Sequence, residues 1–194
     1  MAMARKLGLS SADLLDAAAE IADAEGVGAV TLASVAARLG VRSPSLYAHV
    51  DGLGGLRRLL ALRAAHAMGG ALRAATEGRA GLDALRALSH AYRGFAREHP
   101  GLYGAAQRAV RPGEDDELYR ALAEPVLPAV RALAEAGVPE AERIHLARAL
   151  RSALHGFVAL EVGGGFGRPE SVEESFGRLV ELLLGGVRAA AAGT

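Results

Sequence analysis

Three features of this 194-residue sequence predict an all-α fold. Alanine supplies about a fifth of the residues and, with Leu, Arg and Glu, dominates the chain; these side chains lose least freedom on entering a helix. Apolar positions recur at spacings of three and four between Gly and Pro punctuation, which is the period of a helix face. Alternating runs rich in β-branched residues, as strands require, are absent. The 51% apolar and 23% charged residues exclude a disordered chain and suffice for one sizeable core. With no Cys, disulfides, thiolate chemistry and Cys-ligated metals are excluded. The 22 basic residues, all Arg except Lys6, balance 22 acidic ones, so any nucleic-acid footprint has to be local.

The elements follow in order. Ser10 caps a predicted helix over 11–25, with Asp13 three residues on and Leu14, Ala18 and Ile21 sharing a face. Gly26 and Gly28 end it. Thr31 caps a short helix to Leu39, which Gly40 stops; Ser43 caps and Pro44 opens a third helix to about His49. Asp51-Gly52 precedes a long helix over 53–76, and further helices are expected near 81–98, 101–110, 115–136, 139–162 and 171–190. Ser171 and Glu174 have capping-box spacing for the last of these. Two zones result: 1–52, with three short helices, and 53–194, with long ones. No linker separates them, so the helix from Leu53 belongs to both. Arg5 and Lys6 precede no signal-peptide core, and the apolar run from Ala153 to Phe166 is short and broken by His155 and Glu161. The expectation is a cytoplasmic protein with no membrane partner.

Residues 31–50 read as helix, tight turn, helix. Val35 with Leu39 and Leu46 with Val50 supply one apolar face each, and Val41 plugs the turn. Ala36 is small where steeply crossed helices must approach closely. This matches a helix-turn-helix packed on the first helix. The outward residues are then Arg42, Ser43, Ser45, Tyr47 and His49, side chains that bond phosphates and read base edges in a major groove. From Arg38 to Arg63 there are five Arg and one Asp, whereas Asp13 to Glu25 holds five acids and no base. That polarity would orient the unit on a phosphate backbone. Packing alone leaves a helical unit that never touches DNA as an equal reading.

The residues from Leu14 to Leu60 resemble the DNA-binding domain of the tetracycline-repressor (TetR) family of bacterial transcription regulators. The matching pieces are Leu15-Asp16-Ala17-Ala18, Glu25-Gly26, Val30-Thr31-Leu32-Ala33-Ser34-Val35-Ala36, Leu39-Gly40-Val41 and Ser45-Leu46-Tyr47-Ala48-His49-Val50, with Leu56 beyond. The resemblance implies a double-stranded DNA partner. It gives Thr31 and Tyr47 phosphate-positioning roles and places Arg42, Ser43 and Ser45 nearest the bases. His49 fits either role, or that of a helix-end residue bonded to the last carbonyls. Two positions depart from the family pattern: Val50 stands where many relatives have Phe, and Leu53 where relatives often have a phosphate-binding Lys. Arg57 and Arg58 lie one turn further on and can substitute for that Lys.

In the larger zone, Phe176, Leu179, Val180, Leu183, Leu184 and Val187 form one apolar stripe. The 139–162 helix is apolar around most of its circumference, so it has to be buried on two sides. One side is the chain's own core; the other is most simply a second copy, giving a four-helix interface about a two-fold axis. Leu150, Leu154, Phe157, Phe176, Leu179, Val180, Leu183 and Val187 are the candidate interface residues. A homodimer would read two half-sites roughly 34 Å apart.

His155-Gly156, with Phe95 and His99-Pro100-Gly101-Leu102-Tyr103 upstream, resembles the TetR subgroup named for a Trp-His-Gly signature, with Leu154 at the Trp position. Relatives bind a small-molecule effector between the middle helices. The resemblance makes His90, Tyr92, Phe95, Tyr103, Gln107, Tyr119, Arg151 and His155 candidate ligand-binding residues, although Phe95 and Tyr103 also suit a core and His155 an interface.

No catalytic residue, metal ligand or cofactor site is expected. The six His have no His-Glu-x-x-His spacing, and no Gly-x-Ser-x-Gly elbow occurs. Gly163-Gly164-Gly165-Phe166-Gly167 lacks the strand and the Lys-Ser/Thr of a phosphate loop. The reading is a DNA-binding transcriptional regulator, a repressor released from its operator by a small effector. The rival is a helical dimerisation or scaffold protein without specific DNA binding.

Overall fold

The computed structural model describes residues 9–107 and 110–193, and among them only helices and connecting turns occur. Helix α1 (Ser11–Glu25) starts at a full capping box, in which Ser10 and Asp13 exchange side-chain and backbone hydrogen bonds. Helix α2 (Leu32–Leu39) has the same device in Thr31 and Ser34. It ends where Gly40 takes a left-handed backbone (φ 65°, ψ 31°) and the Val41 N–H reaches back to the Ala36 carbonyl at 3.0 Å. The space beside Gly40 is open, so a side chain there would be disfavoured by the left-handed backbone itself rather than by a neighbour. The body consists of α3 (Gly52–Thr76), α4 (Gly81–Glu98), α5 (Pro100–Ala106), α6 (Asp116–Ala123), α7 (Leu127–Glu135), α8 (Glu140–Val162) and α9 (Val172–Ala191).

The structure departs from the sequence expectations at four places. The third short helix is a 3-10 helix over Ser43–Ala48, closed by Ser45 N–H to the Arg42 carbonyl and His49 N–H to the Leu46 carbonyl. Pro44 lacks an N–H and the piece is only six residues long, which suits the tighter helix. The expected 115–136 helix is two helices, separated by a 3-10 turn at Glu124–Val126, where Pro125 and Pro128 each remove a backbone donor. The 101–110 helix begins at Pro100 and ends at Ala106. At α9 Ser171 accepts from the Glu174 N–H, but the Glu174 carboxylate turns to Arg178 at 2.6 Å, leaving half a capping box.

One apolar core runs from the first helix to the last. Leu14, Ala18, Val35, Leu46, Leu56 and Leu60 join it from the head, and Leu85, Leu133, Leu154, Phe176 and Leu184 from the body. Helix α3 contributes to both ends, so the head sits on a stiff stalk.

A second joint is made by α5. A Cβ at Gly101 would lie 2.0 Å from the Ala22 carbonyl carbon, so α5 packs backbone to backbone on α1. Asp23 seals this contact. Its Oδ1 accepts from the N–H groups of Gly101 (2.8 Å) and Leu102 (3.1 Å), supplying from another helix the cap that α5 lacks.

Candidate functional site

The head presents its polar side chains on one surface because Leu46, within the 3-10 segment, and Val50, just after it, are buried. Tyr47 is 63% exposed. Arg42 and Ser45 are exposed beside it, and Ser43 and His49 are half-buried. Thr31 is half-buried at the start of α2, its hydroxyl engaged with Ser34 at 3.0 Å. Arg57 is exposed at the first turns of α3. These seven residues therefore occupy the turn, the 3-10 segment and the helix starts flanking it.

Charge on this face is more selective than composition suggested. Arg38 pairs with Glu20 at 3.0 Å, and Arg63 pairs with Asp16. Arg58 is held by Asp115 and Glu117 at 2.5 and 2.6 Å, which keeps its guanidinium charged and directs it to α6. It is consequently a tie between α3 and α6, away from the phosphate-binding role that its position suggested. Arg42 and Arg57 have no ion pair among the described residues.

The body encloses an apolar cavity between α3, α4, α7 and α8, walled by residues such as Met68, Leu72, Leu88, Val126, Ala129 and Leu150. Space for water-molecule centres is about 50 Å³, enough for a few waters, so a larger occupant has to push the walls apart. Five of the eight ligand-binding candidates gather at its polar end. Tyr92, Gln107 and Arg151 line the cavity directly. Behind them the hydroxyls of Tyr92 and Tyr103 lie 2.9 Å apart, and the Tyr103 hydroxyl lies 2.5 Å from His155 Nδ1. Burial pushes both tyrosines above their ordinary range, so they act as neutral hydroxyls. Arg151 Nη2 donates to Gln107 Oε1 at 3.0 Å.

The other three candidates lie elsewhere. His90 is exposed and edge-on to Phe176 at 5.3 Å, Phe95 packs beside His99, and Tyr119 lies in an open groove outside the cavity.

The α8–α9 pair divides its apolar residues between two faces. Leu150, Leu154, Phe176, Val180 and Val187 are buried in the chain's own core, and Phe157, Leu179 and Leu183 are half-buried at its margin. Leu160 (54% exposed), Val162 (56%) and Leu182 (74%) are instead left to solvent.

Two residues that sequence reasoning missed organise the body. Arg93 is 5% exposed, yet it binds Glu161 through two hydrogen bonds (2.8 and 2.7 Å) and Glu173 at 2.6 Å. Its guanidinium also lies 4.6 Å from the centre of the Phe176 ring. Asp23 is the other, joining α1 to α5. Their partners are 68 to 80 residues distant in sequence, so no local spacing could reveal either. Among the described residues, no group of three potential metal ligands occurs and no helix is long and apolar enough to cross a membrane.

Comparison with known proteins agrees with this architecture. Residues 14–49 match the bacterial regulatory proteins of the tetR family, and residues 85–183 match the tetracyclin repressor-like C-terminal domain. The chain is 37% identical over 187 residues to YobS of Bacillus subtilis, described as an uncharacterized HTH-type transcriptional regulator, covering 95% of this chain and 96% of that one. It is 36% identical over 162 residues to another HTH-type regulator, from Mycobacterium tuberculosis, covering 84% of this chain and 74% of that one. Solved structures share the fold. A protein of unknown function from Rhodococcus superposes with TM-score 0.78 at 22% identity, covering 95% and 98% of the two chains. A TetR regulator from Streptomyces coelicolor gives 0.67 at 23% identity, covering 94% and 99%. From its helix-turn-helix head to its helical body, this chain belongs to the TetR family of transcriptional regulators.

Proposed function

We propose that this chain is a homodimeric repressor that binds a near-palindromic operator and is released by a small-molecule effector. The observation that carries the reading is the turn at Gly40, which sets Tyr47 outward at 63% exposure over a buried Leu46. Residues 1–52 act as the DNA-reading head and 53–194 as the effector-binding and dimerising body, in the cytoplasm. Thr31 and Tyr47 position the head on phosphates, with Arg57 adding a charge contact from α3. Arg42, Ser43 and Ser45 reach the bases, and His49 lies at the edge of the same surface. The dimer forms on the outward face of α8 and α9 around Leu160 and Leu182. Phe157, Leu179 and Leu183 flank that face, while Leu150, Leu154, Phe176, Val180 and Val187 support it from beneath. A symmetric pair is needed because one short reading helix makes few base contacts.

The pairing of Arg38, Arg58 and Arg63 with acids favours a second reading, a dimerisation protein without specific DNA binding. An electrophoretic mobility shift with the DNA upstream of the chain's own gene separates the two. The repressor reading expects a sequence-specific, salt-sensitive shift; a folded dimer giving none at low salt supports the scaffold. Tyr47→Ala should weaken binding to every sequence, and Ser45→Ala should change sequence preference. Uniform loss from both would mean these two roles are misassigned.

A further inference from the structure

We propose that the cavity takes an amphiphilic carboxylate, with its hydrocarbon body between α3, α4, α7 and α8 and its carboxylate on the Arg151 guanidinium. This rests on the reading of the cavity as the effector site and names the ligand class.

The lining is apolar except at one end, and no acidic side chain contributes to it. The polar groups at that end are Tyr92, Gln107 and Arg151. Among the described residues Arg151 pairs with no carboxylate; it meets Gln107 Oε1 and the Tyr92 hydroxyl, neutral groups that aim the guanidinium without neutralising it. The arginines that tie helices of this body together are each met by acid, Arg93 and Arg58 by two carboxylates and Arg86 by one. Arg151 is the cavity cation without such a partner.

The hydroxyl chain behind it matches an anionic acceptor. With the His155 proton on Nδ1, His155 donates to Tyr103 and Tyr103 donates to Tyr92, which frees the Tyr92 proton for an oxygen in the cavity. Tyr92 and Arg151 then offer two donors to one carboxylate, the arrangement that makes charge-assisted pairs strong.

The mouth is placed for the same ligand. Arg151, Leu122, Val126 and Ala147 line both the cavity and an open groove carrying Tyr119, Leu127 and Ile144. The guanidinium therefore stands where a partly hydrated head would rest while the tail enters the apolar space. An alcohol of equal length would gain the tail burial and lose the ion pair.

Isothermal titration of the full-length protein with octanoate and with octan-1-ol tests the assignment. Octanoate should bind at least about 10-fold more tightly than the alcohol, as a hydrogen bond to a charged group implies. Arg151→Met, a change at an exposed position, should erase that preference by weakening octanoate about 10-fold or more and the alcohol less than about two-fold. Equal affinity of the two compounds for the wild type, or an unchanged preference in Arg151→Met, would overturn the carboxylate assignment while leaving the effector cavity in place. Failure of both compounds to bind, with circular dichroism showing folded protein, would remove the cavity reading and the carboxylate with it.

Discussion

Gly101→Ala tests the joint between head and body. The added Cβ would lie 2.0 Å from the Ala22 carbonyl carbon and 2.2 Å from its oxygen. Ordinary carbon contacts are about 3.5–4.0 Å, so the two backbones must separate by about 1.5 Å. No side-chain rotation relieves the clash, because both partners are backbone. Separation also pulls the Gly101 and Leu102 N–H groups from Asp23, which now holds them at 2.8 and 3.1 Å. Overpacking typically costs about 1–3 kcal/mol, and two stretched bonds to a carboxylate add about 1–2 kcal/mol. The expected total is about 3 kcal/mol, a fall in melting temperature of roughly 6–12 °C for a chain of this size. Gly94→Ala is the control: it sits within α4 with nothing inside 4 Å of the new carbon, so the better helix former should stabilise by about 0.5–1 kcal/mol. Urea denaturation of both variants reads the contrast. A Gly101→Ala protein as stable as wild type would refute close backbone packing as the basis of the joint.

Other substitutions probe the remaining contacts. Arg93→Met should destabilise by about 3 kcal/mol at neutral pH, because it leaves the Glu161 carboxylate partly buried and unpaired. Arg93 holds Glu161 below its ordinary pKa of 4.5, so this contribution is present above that pH and disappears as pH falls through the lower, folded-state value. The gap between wild type and variant should therefore narrow in denaturation below about pH 4; a gap constant with pH would show that packing rather than charge dominates. Arg57→Ala should lower the salt slope of operator binding by about one, whereas Arg58→Ala should leave it unchanged and loosen α6, as read by hydrogen exchange. Leu182→Arg, at the most exposed apolar position of α9, should give monomers in sedimentation and weaken operator binding. A dimer retained at micromolar concentration would count against the α8–α9 interface.

The helical class, the caps at Ser10 and Thr31, the stop at Gly40 and the outward set around Tyr47 were all legible along the chain. Each depends on neighbours within about five residues, through a cap, a left-handed turn or an i, i+4 face. The family resemblance, with the aromatic and polar interruptions of apolar helices, nominated Tyr92, Tyr103, Gln107, Arg151 and His155. It could not separate them from His90, Phe95 and Tyr119, because a polar interruption looks the same whether it meets a cavity, solvent or another ring. The 3-10 form of the reading segment and the break at Pro125 were underestimated because an apolar period survives a change of helix type.

What only the tertiary structure decided is partnership between distant residues. Arg58 looked like a phosphate contact until folding brought Asp115 and Glu117 against it. Arg93 carried no signal until α8 and α9 supplied its carboxylates, and the apolar stripes of those two helices were divided between core and surface by the helices packed beneath them. Helix-forming preference and turn geometry act over a few bonds and are written in order along the chain, whereas ion pairing and burial depend on distance through space, which sequence order does not specify.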